Sequence, residues 1–165
     1  MHIDLPTANA MADLLWCPLS TFPQTYLGLP LSPSRLLVSD YAPLIASFDR
    51  YLAGWRARLL SAGGRLVLTN AVLGSLPLYY MSSLLLPPTV LAALDSRRRA
   101  FFWTGTDHCS GAQCLIAWEK VCTPKHEGGL GVKDIQTQNH YLLMKLVDRF
   151  LAPGDLPWKR WSITT

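Results

Sequence analysis

Charge is what this sequence has least of. Only 16% of its 165 residues are Asp, Glu, Lys or Arg, and no two of its eleven acidic residues are adjacent. Two-metal phosphoryl transfer needs clustered carboxylates, so nothing here nominates such a site. No Walker loop or dinucleotide fingerprint is present: Gly63-Gly64 and Gly128-Gly129-Leu130-Gly131 fit neither spacing. A Gly-x-Ser-x-Gly elbow is missing too. Four cysteines are too few for a disulfide scaffold. The N-terminus has no charged region followed by a long apolar one. The expectation is an intracellular protein with reduced thiols, in nucleus or cytoplasm and not secreted. No cofactor is implied, nor any small-molecule substrate.

What the chain does have is apolar residues, half of the total, which excludes wholesale disorder. Its net charge of +4 is compatible with an anionic partner without requiring one. Between Arg65 and Asp95 run 29 residues without a charge, and Leu66 to Leu86 is long enough to cross a bilayer. Thr69, Asn70, Ser75, Ser82, Ser83 and the mid-segment Pro77 make that a poor span, because Asn70 would need a partner in lipid. Two shorter core helices broken near Pro77 fit better. A membrane span at 66–86 stays as an alternative.

The pattern is mainly helical with a little strand. Leu14 to Cys17 reads as a short strand, and Thr25 to Leu31 as an edge strand or hairpin arm. A helix follows Asp40 as N-cap, with Pro43 in its first turn and Leu44, Ile45, Phe48, Tyr51, Leu52 and Trp55 on its buried face. A second helix runs from Ser61 to about Ser75, and a third piece from Tyr79 to Leu86. A fourth runs from Thr89 to Trp103, with Pro88 in its first turn and Gly105 as its terminator. Asp95 and Arg99 form an i,i+4 pair on that helix. Arg97-Arg98-Arg99 spreads round the circumference and reads as a solvated face. Residues 104–114 read as an exposed loop, and Leu115 to Trp118 as a small strand. Asp134 caps a last helix whose stripe is Ile135, Leu142, Leu143, Leu146, Val147 and Phe150, ended by Pro153-Gly154. Trp158-Lys159-Arg160-Trp161 leaves two aromatics with no element to bury them, which reads as truncation.

Two constellations could carry chemistry. Cys109, Cys114, Cys122 and His126 form a C-x4-C-x7-C-x3-H series. Structural zinc sites begin with a closer Cys pair, and Cys122 follows an apolar run where free Cys behaves as a small hydrophobe, so no metal is assigned. The other is basic. Arg58 and Arg65 are seven apart and share a face on a continuous helix. Ser61-Ala62-Gly63-Gly64 places small residues at a helix start, where N–H groups and the dipole favour a phosphate. The same residues also suit an ordinary N-cap flanked by solvated arginines.

Three sets of residues now converge: Tyr26-Leu27-Gly28-Leu29-Pro30-Leu31, Gly54-Trp55 followed by Leu60-Ser61-x-Gly63-Gly64-Arg65, and Pro77-x-Tyr79-x-Met81-Ser82. Leu86-Pro87, Phe102-Trp103-x-Gly105, Ala117-Trp118-x2-Val121-Cys122-x-Pro124-Lys125 and Gly128-Gly129-Leu130-Gly131-Val132 continue the order. Together they resemble plant non-LTR (LINE-type) retrotransposon reverse transcriptase over roughly residues 14–152. Each motif is weak alone; their order and spacing make the match specific. The resemblance implies the region after the polymerase palm. Residues 1–31 would be a leader and primer-grip-like strand segment, and 32–105 a thumb-like helical domain. Residues 106–133 would be a loop and connection, and 134–165 a C-terminal helix and truncated tail. The family's catalytic aspartates lie upstream of the primer grip, so no enzyme is expected on its own. The expected partner is an RNA or DNA template–primer duplex, held through Tyr26, Leu27, Gly28, Arg58, Gly63, Gly64 and Arg65. Two departures are Gly63 where the family has Ala, and Thr25 where it has Lys, which removes one phosphate contact. A helical interaction module that has lost nucleic-acid binding is the other alternative.

Overall fold

The computed structural model describes residues 3–54, 59–106 and 108–152. The fold is mainly helical with one two-stranded antiparallel hairpin. Two compact units divide the chain, Met1–Asp40 and Tyr41–Thr165.

The first unit opens with α1 (Leu5–Leu15), which begins at a proline in its first turn and ends at Trp16 with φ 54°. Leu14 and Leu15 therefore close a helix instead of forming the expected strand. The Ala-rich segment before them has high helix propensity, and Pro6 is preorganised for a first turn. The hairpin follows, β1 (Gln24–Tyr26) paired with β2 (Leu29–Leu31) in the register Gln24 to Leu31, Thr25 to Pro30 and Tyr26 to Leu29. This unit buries little: Pro30 is the one buried residue among 3–40, and Trp16 is 95% exposed.

The second unit is built round one helix. After a 3-10 turn at Val38–Tyr41, α2 (Ala42–Gly54) lays Leu44 and Phe48 into the core. Asp40 caps that turn and not α2: its Oδ2 accepts from the Leu37 amide at 2.7 Å. Trp55, expected on the same face, lies outside the described residues. Ser61 caps α3 (Ala62–Leu68), which widens into a π-helical turn at Thr69–Leu73, and α4 (Leu78–Met81) follows. The uncharged run is thus broken into short pieces. Among the described residues no helix is long and apolar enough to cross a membrane, which removes the span at 66–86. Asn70, the residue least suited to lipid, uses backbone partners: Nδ2 donates to the Gly131 carbonyl at 3.5 Å, and Oδ1 accepts from the Lys133 amide at 3.3 Å.

The central element is α5 (Pro88–Thr104), with Pro88 in its first turn and Gly105 at φ 67° ending it. It touches α2, α3, the π turn and α7. Val90, Leu91, Leu94, Phe101 and Phe102 are buried along it. So is Arg98, with no exposed surface, contrary to a solvated arginine face. Its Nη1 pairs with Asp95 Oδ1 at 2.7 Å, its Nη2 donates to the Lys133 carbonyl at 2.7 Å, and its guanidinium lies 5.7 Å from the Trp118 ring centre. Asp95 therefore pairs one residue earlier than expected. Arg97 is engaged as well, in a two-pronged contact with Asp49 of α2.

The expected strand at 115–118 is absent. Leu115 and Ile116 are exposed with no neighbouring strand to supply ladder bonds, and Trp118 begins α6 (Trp118–Cys122). Phe102, Trp118, Val121 and Val132 form a small core there. Asp134 caps α7 (Ile135–Leu151), its Oδ2 accepting from the Thr137 amide at 2.8 Å. Asn139 of α7 is fully buried: its Nδ2 donates to the carbonyls of Met81 and Leu84 and its Oδ1 accepts from the Leu86 amide, each at 2.9 Å. The stripe of α7 is covered only at its start. Ile135 is buried, but Leu146, Val147 and Phe150 are exposed, because no described element packs on that end. The expected helix stop at Pro153-Gly154 and the tail at 158–161 lie outside the described residues.

Removing Arg98 strands the Asp95 carboxylate and the Lys133 carbonyl. Arg98→Ala should cost about 3–5 kcal/mol in urea melts, and Arg98→Lys should recover only part, since an ammonium cannot fork to both acceptors. Asp95 supplies a pH test. Burial raises its carboxyl above the ordinary range, with Arg98 pulling it back only in part. A carboxyl raised in the folded state binds its proton more tightly there than in the unfolded chain, so stability falls as pH climbs above the ordinary value. The stability of the native chain relative to Asp95→Asn should therefore decline as pH rises above the ordinary carboxylate value of about 4.

Candidate nucleic-acid interface

The predicted contact residues fall in both units. Tyr26, Leu27 and Gly28 form the hairpin tip of the first. Leu27 and Gly28 are its two-residue turn, with φ of 51° and 85°. Positive φ at both positions is the type I′ geometry that matches the twist of the strands. Glycine adopts it freely, whereas leucine pays about 1–2 kcal/mol for crowding its Cβ against the next carbonyl. The side chains at this tip face solvent: Tyr26 is 63% exposed and Leu27 74%.

Gly63, Gly64 and Arg65 belong to the second unit, at the start of α3. Ser61 holds extended backbone there, and its Oγ accepts from the Gly64 amide at 3.2 Å. The amides of Ala62 and Gly63, one turn in, have no acceptor within the helix. Neither glycine is forced by the fold. A Cβ on Gly63 would meet only Ser61 Oγ at 3.9 Å, and one on Gly64 would sit 3.6 Å from Leu60 and Ser61. Arg65 is committed in part to the protein. Its Nη1 donates to the Trp103 carbonyl at 3.2 Å, tying α3 to the last turn of α5, where the helix dipole favours a cation. Its Nε is buried without a protein partner. Arg58 lies outside the described residues.

A cleft beside α6 has a different character. At about 660 Å³, it is lined by Asp95, Arg99, Trp118, Glu119, Cys122 and Asp134 among others. Three carboxylates against one guanidinium make it hostile to phosphate. The C-x4-C-x7-C-x3-H residues are not gathered together. Cys109 and Cys114 meet in a loop, Cys122 is half-buried on α6, and His126 lies exposed beside Glu127 at 3.4 Å. Among the described residues no group of three or more His, Cys, Asp or Glu side chains could hold a metal ion. Burial pushes the Cys122 thiol up to about 11, so it stays protonated at neutral pH. Sequence reading missed the Cys109–Cys114 meeting. The one signal in the sequence is their spacing, which fits a zinc pattern poorly.

Over 130 residues the chain is 38% identical to an Arabidopsis thaliana protein named "Putative ribonuclease H protein". The match takes in 79% of this chain and 21% of that protein, so the chain spans about a fifth of the relative's length. No family model matches the chain, and no solved structure matches it.

If no backbone constraint holds Gly63 and Gly64, alanine should improve the helix. Gly63→Ala and Gly64→Ala should each raise stability by about 0.5–1 kcal/mol in urea melts. A loss at either position would mean the fold does require glycine there.

Proposed function

We propose that this chain is the segment that follows the palm in a plant non-LTR (LINE-type) retrotransposon reverse transcriptase, an RNA-directed DNA polymerase. Its work is to hold the template–primer duplex by the backbone, with no catalytic centre of its own. The observation that carries this reading is the hairpin tip. A leucine is held in left-handed backbone next to an exposed tyrosine, and strain of that kind collects where a surface is shaped for a ligand. Tyr26 offers a flat ring to the primer end, and the Leu27-Gly28 turn lets a nucleic-acid backbone come close. In the second unit, the unforced glycines 63 and 64 and the amides beside them suit a phosphate, with Arg58 and Arg65 as the cations. The relative's name belongs to nucleic-acid chemistry, which supports a retroelement origin.

A second reading, a helical module that binds protein and has lost nucleic acid, is favoured by one observation. From Tyr141 onward α7 exposes Tyr141, Met144, Val147 and Leu151. Such a face suits a protein partner.

Salt separates the two readings. A grip of about two phosphates should weaken about tenfold between 50 mM and 200 mM salt, read by fluorescence anisotropy with an RNA–DNA hybrid. The double variant Arg58→Ala/Arg65→Ala should bind more weakly and lose most of that dependence. Tyr26→Ala should weaken binding and leave the salt slope intact, since a ring neutralises no phosphate. Each variant is first checked for cooperative unfolding, because Arg65 also holds Trp103. A folded native chain that binds no hybrid at either salt concentration sinks the grip and leaves the protein module. In primer-extension assays the chain should incorporate no nucleotide; robust synthesis would overturn the missing catalytic centre.

A further inference from the structure

The loop at 108–114 presses two thiols together. Cys109 Sγ and Cys114 Sγ lie 2.7 Å apart, well inside the contact distance of unbonded sulfurs. A tight turn between them enforces the meeting. The Ser110 amide and hydroxyl both donate to Gln113 Oε1, at 2.9 and 3.1 Å. The Gln113 amide returns to the Ser110 carbonyl at 3.0 Å, and the Cys114 amide to that of Gly111 at 3.3 Å. Upstream, the loop is fastened to the end of α5, where the hydroxyls of Thr104 and Thr106 donate to the His108 carbonyl at 3.1 and 2.8 Å. Both cysteines are half-exposed, so a small reagent reaches them.

We infer that Cys109 and Cys114 are a redox site, a dithiol that closes reversibly to a disulfide by exchange with a low-molecular-weight disulfide. One thiolate attacks a sulfur of the reagent, forming a mixed disulfide and expelling the first reagent thiolate. The second cysteine gives up its proton and attacks the protein sulfur of that mixed disulfide, expelling the second. Two protein thiols lose two electrons and two protons, and one reagent disulfide becomes two thiols. The bond locks the turn that continues from the end of α5. Burial and the neighbouring thiol push the Cys109 thiol up to about 11, with the Arg99 guanidinium opposing. Cys109 must shed its proton in one of the two steps, so closure should speed up as pH rises towards that value.

The full chain is equilibrated with oxidised and reduced glutathione, alkylated and digested with trypsin. The Ala100–Lys120 peptide carries both cysteines and reports the bond as the loss of two hydrogens. In urea the two residues stay equally close in sequence, so the unfolded chain is the reference. The native exchange constant should exceed the unfolded one by about tenfold or more. Dithiothreitol should reverse the bond. Cys114→Ser should leave Cys109 as a glutathione adduct, and Cys122→Ser should leave the constant unchanged. Equal constants in native and unfolded chain overturn the site, as do adducts on both cysteines or pairing with Cys17 or Cys122.

Discussion

One buried guanidinium organises the second unit. Arg98 sits in the middle of α5 with no solvent on it, so its charge left unpaired there would cost several kcal/mol. Its Nε has no hydrogen-bond partner, and the two Nη atoms carry the bonds that prevent that cost. Asp95 supplies one from the same helix, and the Lys133 carbonyl supplies another from a segment 35 residues on. That second bond fixes where the 131–134 segment crosses α5. The same residue is held from its other side, since the Lys133 amide donates to Asn70 of the π turn. Lys133 is therefore pinned between two elements by its own peptide groups, while Trp118 closes over the guanidinium. Aliphatic packing alone would allow this segment to slide; two directional bonds on one residue do not.

From Lys133 the constraint passes along the chain. Asp134 follows immediately and caps α7, and one turn further Asn139 is delivered to the 81–86 segment, where it satisfies two carbonyls and an amide that α4 leaves open. Isolated, α4 is a single turn and could not hold itself together. It persists because a buried side chain from a distant helix completes its end. Placement by polar bonds and burial by the apolar cluster round Trp118 are thus successive steps of one assembly.

This division explains what could be read from the sequence. Local signals worked where the cause was local. Ser61, Pro88, Gly105 and Asp134 announce helix ends by their own side chains or backbone freedom, and each stands at one. Thr25 to Leu31 announces strand or hairpin, and a leucine at the first turn position hides the turn within it. Failures occurred where a distant partner decides. Leu115 and Ile116 have strand composition and no strand to join. Arg98 belongs to a run that reads as solvated until Lys133 and Trp118 are placed beside it. Leu146, Val147 and Phe150 complete a helical stripe that periodicity assigns to a core, yet no described element reaches them. Of the candidate contact residues, the attachment of Arg65 to Trp103 was not legible, because that bond spans 38 residues.

The internal commitments of the arginines bear on what kind of grip is feasible. Arg97 is spent on Asp49, Arg98 on Asp95 and Lys133, and Arg65 gives a donor to Trp103. These side chains are therefore committed within the fold and not free to turn to phosphates near α3 and α5. A surface so provided cannot bind duplex as a strongly basic domain does, through many released counterions. The proposed grip would depend instead on backbone amides and small residues at α3 and, separately in the first unit, on the flat ring of Tyr26, all of which act at short range. Such contacts hold a backbone without reading its sequence. They also lose little when the duplex advances by one step, since each new phosphate presents the same group to the same amide. Weak electrostatics with close, repeated backbone contacts is what a sliding hold requires. A short-range hold of that kind is compatible with a chain so poor in charge.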